Sequence, residues 1–302
     1  MGQVDKQKKF LLHSTGVFTS LIMDFAKAKL EGSLTKENMY LEKLQTLLRE
    51  TLILSNLIGR RFTYRKAVGK RGRNEPLRKA VVLASDDTPV FPGMSFLQAL
   101  DDLLGRKIKV VSAEAQAMRR GYIEVQEMYA RGHVFALARS VSDKITSKIQ
   151  KVIETHLQGK KGRYSYREDP AQIIADMGNW SRAYGEVVYR TNMATSMVQG
   201  IKQMATDPDI EDLIGGFQYS AVGDVDTRHN HQAASGLIAG TRDPIWKVFT
   251  PPLGYNCRCT LVMVDKYEMR EKGLLENGRV NRFEPPSFSD AHPDPGFPGY
   301  QK

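Results

Sequence analysis

Apolar residues recur at helical spacing through most of the first two hundred positions, and alternation appears only after the break at Asp207-Pro208-Asp209. Val17, Phe18, Leu21, Ile22 and Phe25 mark one helical face. Tyr40, Leu41, Leu44, Leu47, Leu48 and Leu52 mark a second, with Gly59 as its expected C-terminal stop. A segment containing Pro89 and Pro92 follows, then a short predicted helix over 96–104 ended by Gly105. Residues 110–140 are rich in Ala, Glu, Gln, Met and Arg, which favours helix despite Gly121 and Gly132. Ile145, Ile149, Val152, Ile153 and Leu157 form an amphipathic stripe closed by Gly159. Asp169-Pro170 opens another helix, with Asp as N-cap, Pro in the first helical position and Gln172 three residues past the cap. A longer helix is predicted over 181–205, its apolar face drawn from Val187, Ala194, Val198 and Ile201.

Beyond the break, Phe217, Tyr219 and Ala221 alternate as a strand does, and 260–264 is dominated by β-branched residues. The last twenty residues hold five of the thirteen prolines (Pro285, Pro286, Pro293, Pro295, Pro298) with little apolar periodicity. Such a stretch is disordered alone and is ordered by lying on a partner surface. The expected fold is therefore α+β, mostly α. An elongated helical N-terminal region (1–140) precedes a helical segment leading into a small β-containing C-terminal domain (141–268), with an extended Pro-rich tail (269–302).

Composition narrows the class. The chain has 302 residues, 41% hydrophobic and 26% charged, which suits a buried core and excludes wholly disordered, collagen-like or mucin-like chains. At about 100–200 residues per domain, two domains are expected. No apolar run approaches the roughly 20 residues of a transmembrane helix, so no membrane insertion is expected. Lys6, Lys8 and Lys9 precede Phe10, Leu11 and Leu12, but His13, Ser14 and Thr15 interrupt the apolar run. An amphipathic helix is the expectation there, not a secretory leader.

Charge is concentrated. Lys and Arg number 44 against 34 Asp and Glu, a formal charge of +10. Most of the excess lies in 60–79, where Arg60, Arg61, Arg65, Lys66, Lys70, Arg71, Arg73, Arg78 and Lys79 face one acid, Glu75. Phe62, Tyr64, Gly69 and Gly72 are interleaved. Basic residues mixed with aromatics and glycines suit contact with a phosphate backbone or with an acidic protein surface. A smaller cluster, Lys160, Lys161, Arg163 and Arg167 with Tyr164 and Tyr166, reads as a loop.

The densest chemistry lies between Asp224 and Cys259. Asp224, Asp226, His229, His231, Cys257 and Cys259 gather there with Arg228 and Arg258. The two cysteines are the only ones in the chain, so there is no disulfide framework and a reducing cytoplasm is the natural setting. Three readings are open. A structural zinc could draw thiolates from Cys257 and Cys259 and imidazoles from His229 and His231, though both pairs have a one-residue gap where structural sites usually have two to four. A catalytic reading takes Cys257 as nucleophile, His231 as base and Asp224 as orienter. The third takes the cluster as buried polar groups pinning loops around a small sheet.

Phe217–Gly236, FQYSAVGDVDTRHNHQAASG, together with PPLGYNCRC at Pro251–Cys259, resembles the C-terminal domain of phage Mu F-like minor head proteins, also called phage head morphogenesis proteins. Aligning His231 and Gly236 with the family His and Gly puts Asp224, Thr227 and Arg228 on matching positions. Arg190 and Thr191 match the family's helix end, Trp246 its upstream aromatic, and Pro252, Cys257, Arg258 and Cys259 its closing signature. Two positions depart: Asp226 stands where the family commonly has Arg, and Asn192 where it has Glu. The resemblance covers about residues 140–265.

That resemblance implies a non-enzymatic minor head (capsid) protein of a tailed bacteriophage, located in the virion near the portal and in the host cytoplasm during assembly. It implies roles in head morphogenesis and in genome packaging, retention or delivery. The partners so implied are the portal protein, the major capsid or scaffolding protein and packaged double-stranded DNA. Two rivals come from other classes: a metal-dependent hydrolase or nuclease using the His/Cys/Asp cluster, and a free-standing DNA-binding protein.

Overall fold

The computed structural model describes residues 3–71, 113–130, 138, 140–148 and 170–297. The predicted helix at 96–104, residues 149–169 with the second basic cluster, and Arg73, Arg78 and Lys79 lie outside them. The chain divides into two compact units interleaved in sequence: residues 1–51 with 127–189, and 52–126 with 190–302.

In the first unit, α1 (Gln3–Leu30) is followed by the start of α2 (Leu34–Arg71). Gly32, at φ +68°, sits between them and donates to the Lys29 carbonyl, the left-handed helix end that glycine permits. Phe18, Ile22 and Phe25 are buried as the apolar face requires, whereas Val17 is 42% exposed and Thr15 and Thr19 are buried instead. The Phe18 ring rests 5.2 Å from that of Tyr189, and Leu44, Leu48, Val141 and Ile145 complete the buried set. Residues 140–148 are helical.

In the second unit, α2 does not stop at Gly59. A β-carbon there would lie 2.0 Å from the Met197 carbonyl oxygen on α4 (Pro170–Met204), and one on Gly200 would lie 2.0 Å from the Asn56 carbonyl oxygen. The glycines are helix-crossing residues: their missing side chains let two backbones touch. Residues 51–57 are all buried, as for a helix covered on every side. The polar members of that run find partners on α4. Ser55 Oγ donates to the Met193 carbonyl and Ser196 Oγ to the Leu52 carbonyl, both at 2.7 Å, and Asn56 donates to Gln203 at 3.0 Å. α3 (Ala113–Ala130) packs Gly121 beside Arg60. The helices predicted to start at Asp169-Pro170 and at 181 are one continuous α4 beginning at Pro170.

A 3₁₀ turn (Glu211–Leu213) leads into a three-stranded antiparallel sheet of order β2-β1-β3, with β1 Ile214–Ser220, β2 Ile238–Gly240 and β3 Thr260–Asp265. Phe217 pairs with Ala239 on one side and Met263 on the other, and Tyr219 pairs with Leu261. The mostly α, α+β class holds, and both predicted strands are present. The sequence pattern missed β2, the short helices α5 (His229–Ala233) and α6 (Lys266–Glu271), and the hairpin of β4 (Leu275–Glu276) and β5 (Arg279–Val280). That hairpin turns on Asn277-Gly278, both at positive φ, the pairing favoured in two-residue hairpin loops.

The Pro-rich end does not await a partner. Phe283 pairs with Ile238 at the β2 edge, Phe249 stacks on Phe288 at 4.9 Å, and Pro293 and Phe297 are buried. Residues 281–297 are ordered by the second unit itself. Among the described residues, no helix is long and apolar enough to cross a membrane.

Candidate functional site

The Cys-Arg-Cys run follows a turn in which the Cys257 amide bonds the Gly254 carbonyl and Asn256 sits at φ +58°. Extended chain alternates faces. Cys257 and Cys259 therefore point inward, each 4% exposed, while Arg258 points outward to Asp224. That pair is bidentate, with both N–O distances 2.6 Å, and Thr227 Oγ1 adds a hydrogen bond to Asp224 at 3.0 Å. The Arg258 guanidinium, helped by Thr227, holds the Asp224 carboxyl at about 2.

His231 enters from α5 and is 1% exposed. Its ligand nitrogen and the sulfurs of Cys257 and Cys259 all lie within 4.8 Å of one another. His229 does not join them. On a helix, residues two apart face in very different directions, so only one of the two histidines can turn inward. His229 instead lines an open cleft of about 630 Å³ with Asn230, Asp290, His292, Asp294 and Pro295. Of the four side chains expected from the spacing to bind zinc, His231, Cys257 and Cys259 come together and His229 does not.

The carboxylate beside His231 is not Asp224 but Asp294, with Oδ1 3.2 Å from Nε2. Asp294 also approaches Arg228 Nε at 3.3 Å. The Cys257–His231–Asp224 triad expected from sequence is therefore not assembled. The buried thiols are also closed to a substrate. Asp294 went unnoticed because it lies in the Pro-rich end, where neither spacing nor periodicity ties it to His231. Tyr219, the other missed residue, looked like an ordinary strand residue.

Cys257 and Cys259 share their ionisation. A hydrogen bond from Cys259, then one from His231, pulls the Cys257 thiol down; the hydrogen bond to Cys257, then burial, pushes Cys259 up. Burial first, then the two thiols, pushes the Tyr219 phenol up. The Tyr219 hydroxyl and His231 Nε2 are both fully enclosed without a well-formed hydrogen bond.

The remaining signature residues brace the same region. Thr191 Oγ1 accepts from the Asn256 amide at 3.0 Å, which ties α4 to the turn before Cys257. Arg228 donates to the Tyr255 carbonyl at 2.7 Å. Gly236 takes φ +95° and its amide bonds the Tyr219 carbonyl. Trp246 packs edge-on to Phe217 at 5.9 Å and donates to the Gly240 carbonyl. Pro252 is buried and Arg190 half-buried on α4, while Asp226 is exposed, 4.0 Å from Arg258.

The basic segment is largely spoken for where it is described. Arg60 is 3% exposed, donating to Asn56, Gln203 and Glu124, which corrects its assignment as a surface contact. A guanidinium emerging between packed helices is more favourably placed on buried acceptors than left without them. Arg61 and Arg65 both bond Glu114, at 2.7 and 2.8 Å, and Lys66 donates to the Met263 carbonyl. Lys70 and Arg71 lie at the end of α2.

Residues 143–262 match the family described as Phage Mu protein F like protein. The chain is similar to the Mu-like prophage FluMu F protein of Haemophilus influenzae, 25% identical over 167 residues that cover 51% of this chain and 39% of that one. It is also similar to the putative capsid assembly protein F of Escherichia phage Mu, 23% identical over 200 residues that cover 59% of this chain and 45% of that one. The chain thus spans less than half the length of these relatives. No solved structure matches it significantly.

Proposed function

We propose, from the match of residues 143–262 to the Phage Mu protein F like protein family, that this protein is a structural component in the assembly of a phage head. The observation that carries the reading, beside the family match, is how the signature residues are used. Asp224 holds Arg258, Thr191 holds the Asn256 amide and Arg228 holds the Tyr255 carbonyl. These contacts fix the shape of a compact module; they do not aim reactive groups at an open pocket. A module kept rigid in this way suits docking.

The finer reading gives the module the portal protein and the major capsid or scaffolding protein as neighbours, with the virion as its final location. It gives the remainder of the basic segment, Arg71, Arg73, Arg78 and Lys79, to packaged DNA or an acidic capsid surface. Phosphate contacts by such a cluster weaken steeply with salt.

Head assembly in cells expressing the phage structural genes with and without this protein tests the reading. The expected result is that the protein co-sediments with heads and that its omission lowers the yield of DNA-filled particles. Heads normal in number, form and DNA content, with the protein absent from them, would overturn it. Reversing Arg73, Arg78 and Lys79 to Glu tests the basic segment: unchanged incorporation and unchanged DNA retention would remove its assigned role.

A further inference from the structure

We propose that His231, Cys257 and Cys259 hold a zinc ion that ties α5 and the turn before β3 to the sheet. Two thiols and one imidazole are the donors zinc prefers in structural sites. With zinc–sulfur bonds of about 2.3 Å and zinc–nitrogen bonds of about 2.0 Å, tetrahedral ligand atoms stand roughly 3.5–3.8 Å apart. The three donors already lie within 4.8 Å of one another, so a contraction of about 1 Å closes the site.

A second, independent observation points into the same space. The Tyr219 hydroxyl, on a residue 0% exposed, is enclosed without a hydrogen bond. Buried polar atoms are ordinarily paired, and a bound ion is one of the standard reasons for an exception. Three protein ligands leave a fourth position for an oxygen donor, supplied by the Tyr219 hydroxyl beside Cys259 or by water. Asp294, with its carboxylate 3.2 Å from Nε2, is the positioning residue: a carboxylate on one ring nitrogen leaves the other, Nδ1, for the ion, as is common for metal-bound histidines.

The ion would add a tie between two short or irregular pieces of chain. α5 is five residues long, and the chain from Pro251 to Cys259 has no regular structure. Cys257 and Cys259 are free thiols, and a bridge between cysteines two residues apart would be strained, so a disulfide is a poor substitute for the ion.

The test uses the full chain, purified under reducing conditions and analysed for metal. One zinc per chain is expected. Its removal by chelation should lower the thermal midpoint, and added ZnCl₂ should restore it. Refilling with Co²⁺ should give thiolate-to-cobalt charge-transfer absorption of the strength of two thiolates. Cys257→Ser, Cys259→Ser and His231→Ala should each abolish stoichiometric zinc, and Asp294→Asn should weaken it by about 10–100-fold. If a substitution prevents folding, the cobalt spectrum of the unaltered chain decides. A folded, reduced chain that carries no zinc, gains no stability from ZnCl₂ and shows no cobalt–thiolate absorption overturns the proposal. So does a Cys257–Cys259 disulfide surviving in reductant. Neither outcome depends on whether the protein assembles into heads.

Discussion

Asp294 Oδ1 lies 3.2 Å from His231 Nε2, so the Pro-rich end of the chain is joined to the most deeply buried histidine of its signature. Around that contact, the Asp294 amide bonds the Leu253 carbonyl and Asn230 donates to the His292 carbonyl at 2.7 Å. The segment is part of the folded module, not an appendage waiting for a surface.

Phe297→Ala should therefore destabilise the second unit. Its ring packs edge-on to Tyr255 at 5.0 Å and is almost wholly buried. A loss of about 3 kcal/mol in urea unfolding is expected for a buried Phe truncated to Ala. No change would mean that the end of the chain is not anchored as described.

Glycine substitutions in α2 and α4 should have opposite signs according to position. Gly200→Ala puts a methyl group into the Asn56 carbonyl and should cost about 1–3 kcal/mol despite Ala being the better helix former. Gly69→Ala meets nothing within 4 Å and should stabilise by up to ~1 kcal/mol. Paired denaturation curves check both, and equal signs would contradict the close crossing.

Arg60→Ala should act on stability and not only on charge. It strips a donor from the buried Asn56 and from the more open Gln203 and Glu124, and should cost about 1–3 kcal/mol. A thermal melt measures this in isolation. A variant as stable as the original, but weakened on nucleic acid, would return Arg60 to the surface role expected from sequence.

The Asp224–Arg258 pair should leave a mark on acid stability. Its folded carboxyl sits at about 2, below the ordinary value of about 3.9. A depressed carboxylate stabilises the fold fully above the unfolded value and loses that contribution as pH falls through the folded one. The loss should fall between about pH 4 and pH 2 and vanish in Asp224→Asn. NMR titration of the Asp224 side chain checks the midpoint; one near 4 would show that the pair is not formed in solution.

Much of this was legible in the sequence. Helical periodicity gave α1, α2 and α4 their place, since burying one face of an amphipathic segment needs only local spacing. Alternation placed β1 and β3, and the Cys-Arg-Cys run announced a compact centre. Gly59 misled because a glycine that ends a helix and one that lets another helix approach look alike along the chain; only the position of Met197 distinguishes them. His229 misled because residues two apart share a face on a strand and diverge on a helix, and five residues are too few for periodicity to declare which applies.

Short windows of the chain carry the mostly helical α+β class, the small sheet and the signature residues, because these depend only on spacing and residue type. Tertiary structure alone decided which charges are surface and which are internal, that one histidine joins the thiols, and that the Pro-rich end folds back on them. Those outcomes depend on distances between residues far apart in the chain. Arg60 against Gln203, and Asp294 against His231, exist only once helices and loops have packed.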